Sequence, residues 1–480
     1  VLFRSCKMAN QHINNIRLLI KASGFKGDYD IIPLPISGSN RLYFRAINRG
    51  KEKDTMIASF NDDVNENIAH NSFTKHFINI GINVPKIIAR DGSNKYFLIQ
   101  DLGKTALFDL NRHKPKEAIE YYMKVVSDLV EIQVEGIKGL NLEVAYPVKY
   151  FNQRSVMWDL NYFKYYFLKT HNISFNENLL EIDFEKFTEK LLLSESKYFN
   201  YRDFQSRNIM IHEKKPWYID FQGGRMGPLQ YDLVSLLNQV NAKLSSSEKK
   251  IIYKHYLSKL NKKLPGKVEM FEKYYHDYEY FRLMQVMGAY GFRGIVQKKA
   301  HFLQSLLPSI KSLKNLLEES PFDEDMKELN NIFKQIIKID CYSTVKPNTV
   351  LNVSINSFSY KMKGMPIDIT GNGGGHVFDC RSLPNPGRIA DLRDFTGLEE
   401  PIIQYLEKQK EVDSFLKNAH GMILQSIDNY ILRGFAHLQI NFGCTGGRHR
   451  SVYSANLTRK LLEDKYPNIS VTLKHNELNQ

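Results

Sequence analysis

Residues 201–220 read YRDFQSRNIMIHEKKPWYID, and three polar residues within them point to the fold. Asn208 follows Asp203 by five positions, and Asp220 comes twelve positions later. Asp203 and Asn208 fall on one short loop before the strand NIMIH, EKKP turns the chain, and Asp220 ends a second strand, WYID. Two adjacent strands therefore bring three oxygen-bearing side chains to one mouth. Phosphoryl transfer needs this set: a carboxylate to accept the nucleophile's proton, and a carboxylate plus an amide oxygen for Mg²⁺. An ordinary hairpin can carry loop Asp and Asn as well. The order and spacing, beneath a strand-rich region, favour the chemical reading.

Upstream lie short β-branched and aromatic runs: YDIIPLP (29–35), NRLYFRAIN (40–48), DTMIASFN (54–61) and KYFLIQDL (95–102), with a helical stretch at 64–80. From about 105 the apolar period turns helical, at 116–135, 155–169, 182–194, 229–242, 247–262 and 268–299. A polar stretch near 340–350 ends in VKPNTV and marks a domain boundary. Beyond it strand and helix alternate: strands at 351–360, 376–381, 435–442 and 469–474, and helices at 399–417, 420–432 and 451–465. That alternation predicts an α/β domain.

Composition narrows the class. The 480 residues are 42% hydrophobic and 25% charged, which excludes a fibrous or largely disordered chain. No apolar run reaches membrane-spanning length, and VLFRSCKMANQ has no signal-peptide core, with Met8 the expected start. Four dispersed cysteines (Cys6, Cys341, Cys380 and Cys444) fit free thiols in a reducing cytoplasm. The net charge of +14 divides unevenly. Residues 341–480 hold 16 Lys+Arg against 13 Asp+Glu, a net of +3, and the remainder holds 50 against 39, a net of +11. Lysine runs such as Lys249, Lys250 and Lys254 read as solvated helix faces.

YRDFQSRNIMI followed by YIDFQGGRMGPLQYDLVSLL resembles the aminoglycoside-phosphotransferase-like kinases, and most closely their cell-wall-recycling branch. Those enzymes phosphorylate N-acetylmuramate and N-acetylglucosamine at the anomeric hydroxyl. The resemblance covers roughly residues 12–335. It implies a protein-kinase-like bilobal α+β fold, with an N-lobe over 12–103 and a helical C-lobe over 104–335. It also implies ATP and Mg²⁺, with Asp203 as catalytic base, Asn208 and Asp220 on the metal, and Asp232 bracing the catalytic loop. FLIQDLG resembles the hinge, placing Gln100, Asp101 and Leu102 beside the adenine. The phosphate-covering loop would be ISGSNRLYF, with Ser37, Gly38, Ser39 and Arg41. The strand expected to carry a phosphate-pairing lysine, TMIASFND, has none, so either Arg41 or Arg45, one strand earlier, supplies the charge, or phosphate binding is impaired. Glu66 and His70 lie on the next helix, where an ion-pair Glu is expected. For the sugar, Asp159 and Tyr162 in RSVMWDLNYFKYYFL are the candidates, because carboxylates accept sugar hydroxyls and aromatic faces stack on the ring.

NFGCTGGRHRS (441–451) is a second constellation: a strand ending in a glycine-rich turn before a helix, with exposed backbone N–H groups and three cationic side chains. It reads as an anion site, most naturally for phosphate. Cys444, with Arg450 after five intervening residues and then Ser451, also has the spacing of the Cys-based phosphatases. SFSYKMKGMPID, VFDCRSLPNP, LRDFTGLEEPIIQYLE and CTGGRHRSVY are together similar to the C-terminal domain of the RapZ adaptor family, which resembles a phosphofructokinase half. This implies a separate α/β domain over 351–480, after a linker at 336–350. Its phosphosugar site would comprise Thr445, Gly446, Gly447, Arg448, His449 and Arg450, with Arg381. The family's ligands are glucosamine-6-phosphate and small regulatory RNA. A net charge of only +3 and an end lacking a dense basic tail make the phosphosugar the firmer expectation. The expectation is thus an ATP-dependent amino-sugar kinase joined to a phosphosugar sensor. The alternatives are an RNA-binding adaptor on a vestigial kinase fold, or a Cys444 phosphatase. Whether the chain forms a homo-oligomer stays open.

Overall fold

The β-branched runs of the first hundred residues pair into an antiparallel sheet: 42–48 alternates buried and half-buried side chains, whereas 96–99 is buried throughout. The computed structural model describes residues 2–35, 41–242, 244–297, 302, 305–339, 351–368, 370, 375–432 and 435–478. It divides into two compact units, Val1–Gly288 with Lys311–Ile337, and Ala289–Ile310 with Lys338–Gln480. Residues 289–310, inside the stretch read as the helical lobe, thus group with the second unit. Of the expected linker, 340–350 lies outside the described residues.

The first unit opens with helix α1 (Leu2–Ala22), which no strand or helix signal had marked, and whose Ile16, Leu19 and Ile20 join the core of the sheet. The sheet holds β1 (Tyr29–Pro33), β2 (Leu42–Asn48), β3 (Lys51–Phe60), β4 (Ile87–Arg90) and β5 (Tyr96–Gln100), in the order β1-β2-β3-β5-β4. β4 escaped the sequence reading because four residues, IIAR, show too little alternation to stand out. Helix α2 (Val64–Asn79) lies between β3 and β4, its N-terminus capped by the Asp63 side chain.

The helical lobe runs through α3 (Leu107–His113), α4 (Pro115–Val134), α5 (Gln153–Phe163), α6 (Glu177–Leu192), α7 (Gln230–Leu237), α8 (Ser246–Lys263) and α9 (Val268–Tyr290), then α10 (Leu306–Glu319) and α11 (Lys327–Ile336). Between α6 and α7 come the short pairs that hold the catalytic loop: β6 (Tyr198–Asn200) with β9 (Arg225–Gly227), and β7 (Ile209–His212) with β8 (Lys215–Tyr218). The expected single helices over 155–169 and 268–299 each pass into a wider π turn, at Lys164–Leu168 and Gly291–Val296.

The second unit is a four-stranded parallel sheet of β10 (Asn352–Ser359), β11 (Gly375–Asp379), β12 (His437–Cys444) and β13 (Ser470–His475), in the order β11-β12-β10-β13. All eight residues of β12 are buried, as a central parallel strand requires. Helices α12 (Glu400–Glu407), α13 (Lys410–Leu432) and α14 (Arg450–Lys465) complete it. The helix break expected near 418–419 lies instead at Lys408–Gln409. Val412, Leu416, Ala419, Ile423 and Ile427 form one continuous buried stripe, so α13 has no reason to stop.

Candidate active site and candidate anion site

The catalytic loop is held from beneath by a buried carboxylate. Asp232, in the first turn of α7, accepts the backbone N–H of Tyr201 (2.7 Å) and of Arg202 (2.9 Å). Burial pushes its acid up to about 7, while the two N–H donors and the Arg282 and Arg202 charges oppose the rise. The grip keeps Arg202 at φ +79°, a left-handed conformation that costs an arginine free energy unless its surroundings enforce it.

Asp203 follows, exposed at the mouth. Asn208 Nδ2 donates to the Asp203 carbonyl (2.9 Å) and to Asp220 Oδ2 (3.2 Å), which brings all three predicted residues together. Asp220 also stands at a left-handed φ, +69°, and accepts Gln222 Nε2 on Oδ1 (2.8 Å). It opens to the mouth yet is ringed by protein. Those surroundings and the neighbouring Asp203 charge push its acid up to about 6. The two carboxylates share one mouth, where their like charges repel. Asn208, its nitrogen already committed, has its amide oxygen left to give. Among the described residues no three His, Cys, Asp or Glu side chains could hold a metal by themselves. Asp220 with the Asn208 amide oxygen fits Mg²⁺, which takes one or two protein carboxylates and completes its shell with phosphate oxygens and water.

Two arginines, Arg41 and Arg45, stand one strand before TMIASFND. Arg41, just before β2 and only 4% exposed, donates to Glu66 Oε1 (3.0 Å) and to Asn67 Oδ1 (3.1 Å). Gln222 Nε2 reaches the same Glu66 oxygen (3.0 Å), so a polar chain runs from Arg41 through Glu66 and Gln222 to Asp220. Gln222 was not singled out in the sequence. Its position two residues after Asp220, in DFQ, was the available signal. Arg45 is otherwise committed: it grips Asp101 with two bonds (2.7 and 3.0 Å) and the Gly103 carbonyl (2.7 Å), bracing the hinge strand. Gln100 closes β5, its N–H donating to the Lys86 carbonyl, and Leu102 is buried. Ser37, Gly38 and Ser39 lie outside the described residues. His70 is buried between Phe97 and Phe221, and burial together with the Arg41 charge lowers it to about 3.

Asp159 of α5 pairs with Arg202 (2.9 Å) and accepts Gln285 Nε2 (3.0 Å), so it belongs to the wall of the catalytic loop. Tyr162 packs on Tyr166, with ring centroids 4.6 Å apart. Trp158 and Tyr165, from the same stretch, are about half exposed.

In the second unit a cavity of about 370 Å³ opens where β12 gives way to α14. Arg381, Thr445 and Arg450, all expected there, line it with Ser382, Asn385, Arg388 and Glu411. Arg450 is 4% exposed and donates to the carbonyls of Arg381 (3.0 Å) and Leu383 (2.9 Å), with its Nε buried and unpartnered. Arg381 pairs with Asp379 (2.6 Å) and lies 3.9 Å from the Tyr360 ring centroid. The remaining expected residues point elsewhere. Arg448 reaches the Asp394 carbonyl (3.4 Å) and His449 the Arg393 carbonyl (3.2 Å). Gly447 sits at φ +69°, where an added Cβ would strike Glu477, and Gly446 faces open space. Arg388 was overlooked because NPGRI departs from the adaptor pattern. Cys444 is 2% exposed, its sulfur 3.1 Å from Ser451 Oγ and accepting the Gly447 N–H (3.2 Å). That thiol supports the turn and does not line the cavity.

Known proteins divide in the same way. Residues 31–259 match the phosphotransferase enzyme family, and residues 351–479 match the RapZ C-terminal domain. A nucleotide-binding protein of Stutzerimonas stutzeri is 35% identical over 145 residues, 30% of this chain and 47% of that one. One from Clostridium perfringens is 42% identical over 130 residues, 27% of this chain and 42% of that one. The chain thus spans less than half the length of these curated relatives. Among solved structures it is similar to a putative aminoglycoside phosphotransferase from Ralstonia eutropha (9% identity, TM-score 0.40, covering 68% of this chain and 96% of that one). It is also similar to a choline kinase from Streptococcus pneumoniae (14% identity, TM-score 0.40, covering 68% and 98%). The chain joins a kinase-like domain of the phosphotransferase enzyme family to a RapZ C-terminal domain.

Proposed function

We propose that the first unit transfers the γ-phosphoryl group of ATP to a hydroxyl of an amino sugar such as N-acetylmuramate or N-acetylglucosamine, the anomeric hydroxyl being the expected acceptor. The observation that carries this reading is the single mouth formed by Asp203, Asn208 and Asp220. Asp203 accepts the proton of the attacking hydroxyl and orients its oxygen. Asn208 and Asp220 would hold Mg²⁺, which neutralises phosphate charge when bound. Arg41, kept in place by Glu66, takes the phosphate-pairing role that the strand leaves empty, and the intact polar chain to Asp220 speaks against a vestigial kinase. The Asp101 and Leu102 backbone would meet the adenine.

The second unit reads as the receptor for an amino-sugar phosphate such as glucosamine-6-phosphate. Arg381, Arg388, Arg450 and Thr445 supply the charge and hydroxyl that a phosphate requires. If the effector alters sugar or ATP binding, the two affinities shift by the same factor in each direction. Cys380 and Cys444 are buried free thiols, which suits the cytoplasm. No helix among the described residues is long and apolar enough to cross a membrane.

The deciding experiment is sugar-dependent ATP consumption with Mg²⁺, offering N-acetylmuramate, N-acetylglucosamine, glucosamine and kanamycin. Turnover with an amino sugar, lost in Asp203→Asn, supports the reading. Silence with every sugar turns it toward the adaptor alternative, for which RNA binding with a steep salt dependence is the signature.

A further inference from the structure

The cationic cavity of the second unit has one acid in its wall. Three segments line its volume of about 370 Å³: residues 381–388, the turn that carries Thr445 and Arg450, and the first turn of α13. The third contributes a single residue, Glu411. Glu411 is exposed, and among the described residues its carboxylate makes no hydrogen bond or ion pair, although three arginines line the same space. An acid in a first turn also suits the helix dipole, a role that Asp413 shares. The dipole alone gives no reason for the carboxylate to face a ligand cavity.

The local charges show what is left over. Asp379 pairs with Arg381 (2.6 Å) and offsets that guanidinium. Arg388 and Arg450 form no ion pair among the described residues, and Arg450, 4% exposed, keeps its buried Nε unpartnered. Those two charges match a phosphate dianion, to which Thr445 adds a hydroxyl. Glu411 is then left without a counter-charge from either protein or phosphate. Arg388 and Glu411 share the cavity without meeting, so the space between them suits a ligand that carries both signs.

We propose that Glu411 receives an ammonium group, so that the cavity takes a phosphosugar with a free amine and discriminates against N-acetylated and neutral ones. This rests on the phosphosugar-receptor reading of the second unit and names the specificity residue within it. An N-acetylated phosphosugar, the product class of the reaction proposed for the first unit, offers an amide where Glu411 calls for a cation. The second unit therefore reports a sugar phosphate without an acetyl group. A reaction that removes the acetyl group or installs a free amine must supply it. Because Glu411 stands where water screens its charge, the preference is modest, about 3- to 10-fold in Kd.

The test is calorimetric titration of the full chain with glucosamine-6-phosphate, glucose-6-phosphate and N-acetylglucosamine-6-phosphate at pH 7. The three share the phosphate and the ring and differ at carbon 2, which bears ammonium, hydroxyl or acetamide. Glucosamine-6-phosphate is expected to bind the tightest. Glu411→Gln should erase the preference and Glu411→Asp retain part of it, whereas a merely structural role would weaken all three alike. Raising the pH to 9 should also erase it in the wild type, because an amine of pKa about 8 is then neutral. Equal affinities in the wild type at pH 7 overturn the inference, as does a preference that survives at pH 9 or in Glu411→Gln. The pH comparison decides even if the variants fail to fold. Binding of none of the three overturns the phosphosugar reading itself, and binding of all three without preference overturns only the inference.

Discussion

The two mouths of this chain are built alike and charged oppositely. Each forms where strand ends meet a loop that leads toward a helix. The first gathers carboxylates, Asp203 and Asp220; the second gathers the guanidinium groups of Arg381, Arg388 and Arg450. They also differ in what holds the key residue. Asp220 is held by other side chains, Asn208 and Gln222, whereas Arg450 itself holds backbone, the carbonyls of Arg381 and Leu383. A substitution at the first mouth is therefore felt in chemistry, and a substitution of Arg450 is felt in the shape of the turn as well. The net charge of +14 reveals neither sign, because a site is defined by its local charge.

That contrast can be broken most directly at Asp203. Asp203→Asn should lower sugar-dependent turnover by about 10³-fold while nucleotide binding, followed by calorimetry, persists. Activity above a tenth of wild type would remove Asp203 from the role of base. Next in size is Arg41→Ala, expected to cost about 10²-fold in kcat/KM for ATP, with Arg41→Lys recovering part. If Arg45→Ala proved the more damaging to ATP affinity and Arg41→Ala harmless, the phosphate role would pass to the hinge arginine.

His70 sharpens the comparison through stability. Its folded value of about 3 lies below the ordinary 6.5, so the unfolded chain binds more protons between those values. The contribution of the neutral buried ring is complete above pH 6.5 and is lost as the pH falls through that window. At pH 5 the loss is about 2 kcal/mol. Thermal unfolding at pH 7 and pH 5 should show this loss in the wild type and its disappearance in His70→Phe. An unchanged acid sensitivity in the variant would assign the effect to other groups.

The smallest expected effect lies in the second mouth. Arg388 lines the cavity, and its side chain makes no hydrogen bond or ion pair among the described residues, so Arg388→Ala should weaken glucosamine-6-phosphate binding about tenfold without disturbing the turn. Arg448→Ala should change it less, since Arg448 is engaged with the Asp394 carbonyl. Calorimetry on both variants orders them, and the reverse order would move the site off the cavity.

How much could be read in advance differs between these regions as well. Periodicity placed β2, β3 and β5 and most long helices within a few residues, because a strand or helix with one buried face must repeat its apolar residues at that element's own period. It missed α1 and β4, the latter too short to display a period. The triad of Asp203, Asn208 and Asp220 was legible because one loop and one hairpin, close in sequence, carry all three.

What depended on distant segments was not legible. Arg41 and Glu66 are 25 positions apart, and nothing in the order of residues said which arginine would face the helix and which the hinge. Gln222 joins Glu66 across 156 positions. Asp159, read as a sugar ligand, was drawn to Arg202 across 43 positions. In the anion loop, the spacing of CTGGRHR predicted a cluster of cations, but only the packed turn chose Arg450 for the cavity and sent Arg448 and His449 to the carbonyls of 393–394. The sequence by itself determined the elements and the local constellations, since those follow from period and short spacing. The tertiary structure decided which charge meets which, because an ion pair depends on distance in space and is indifferent to separation along the chain.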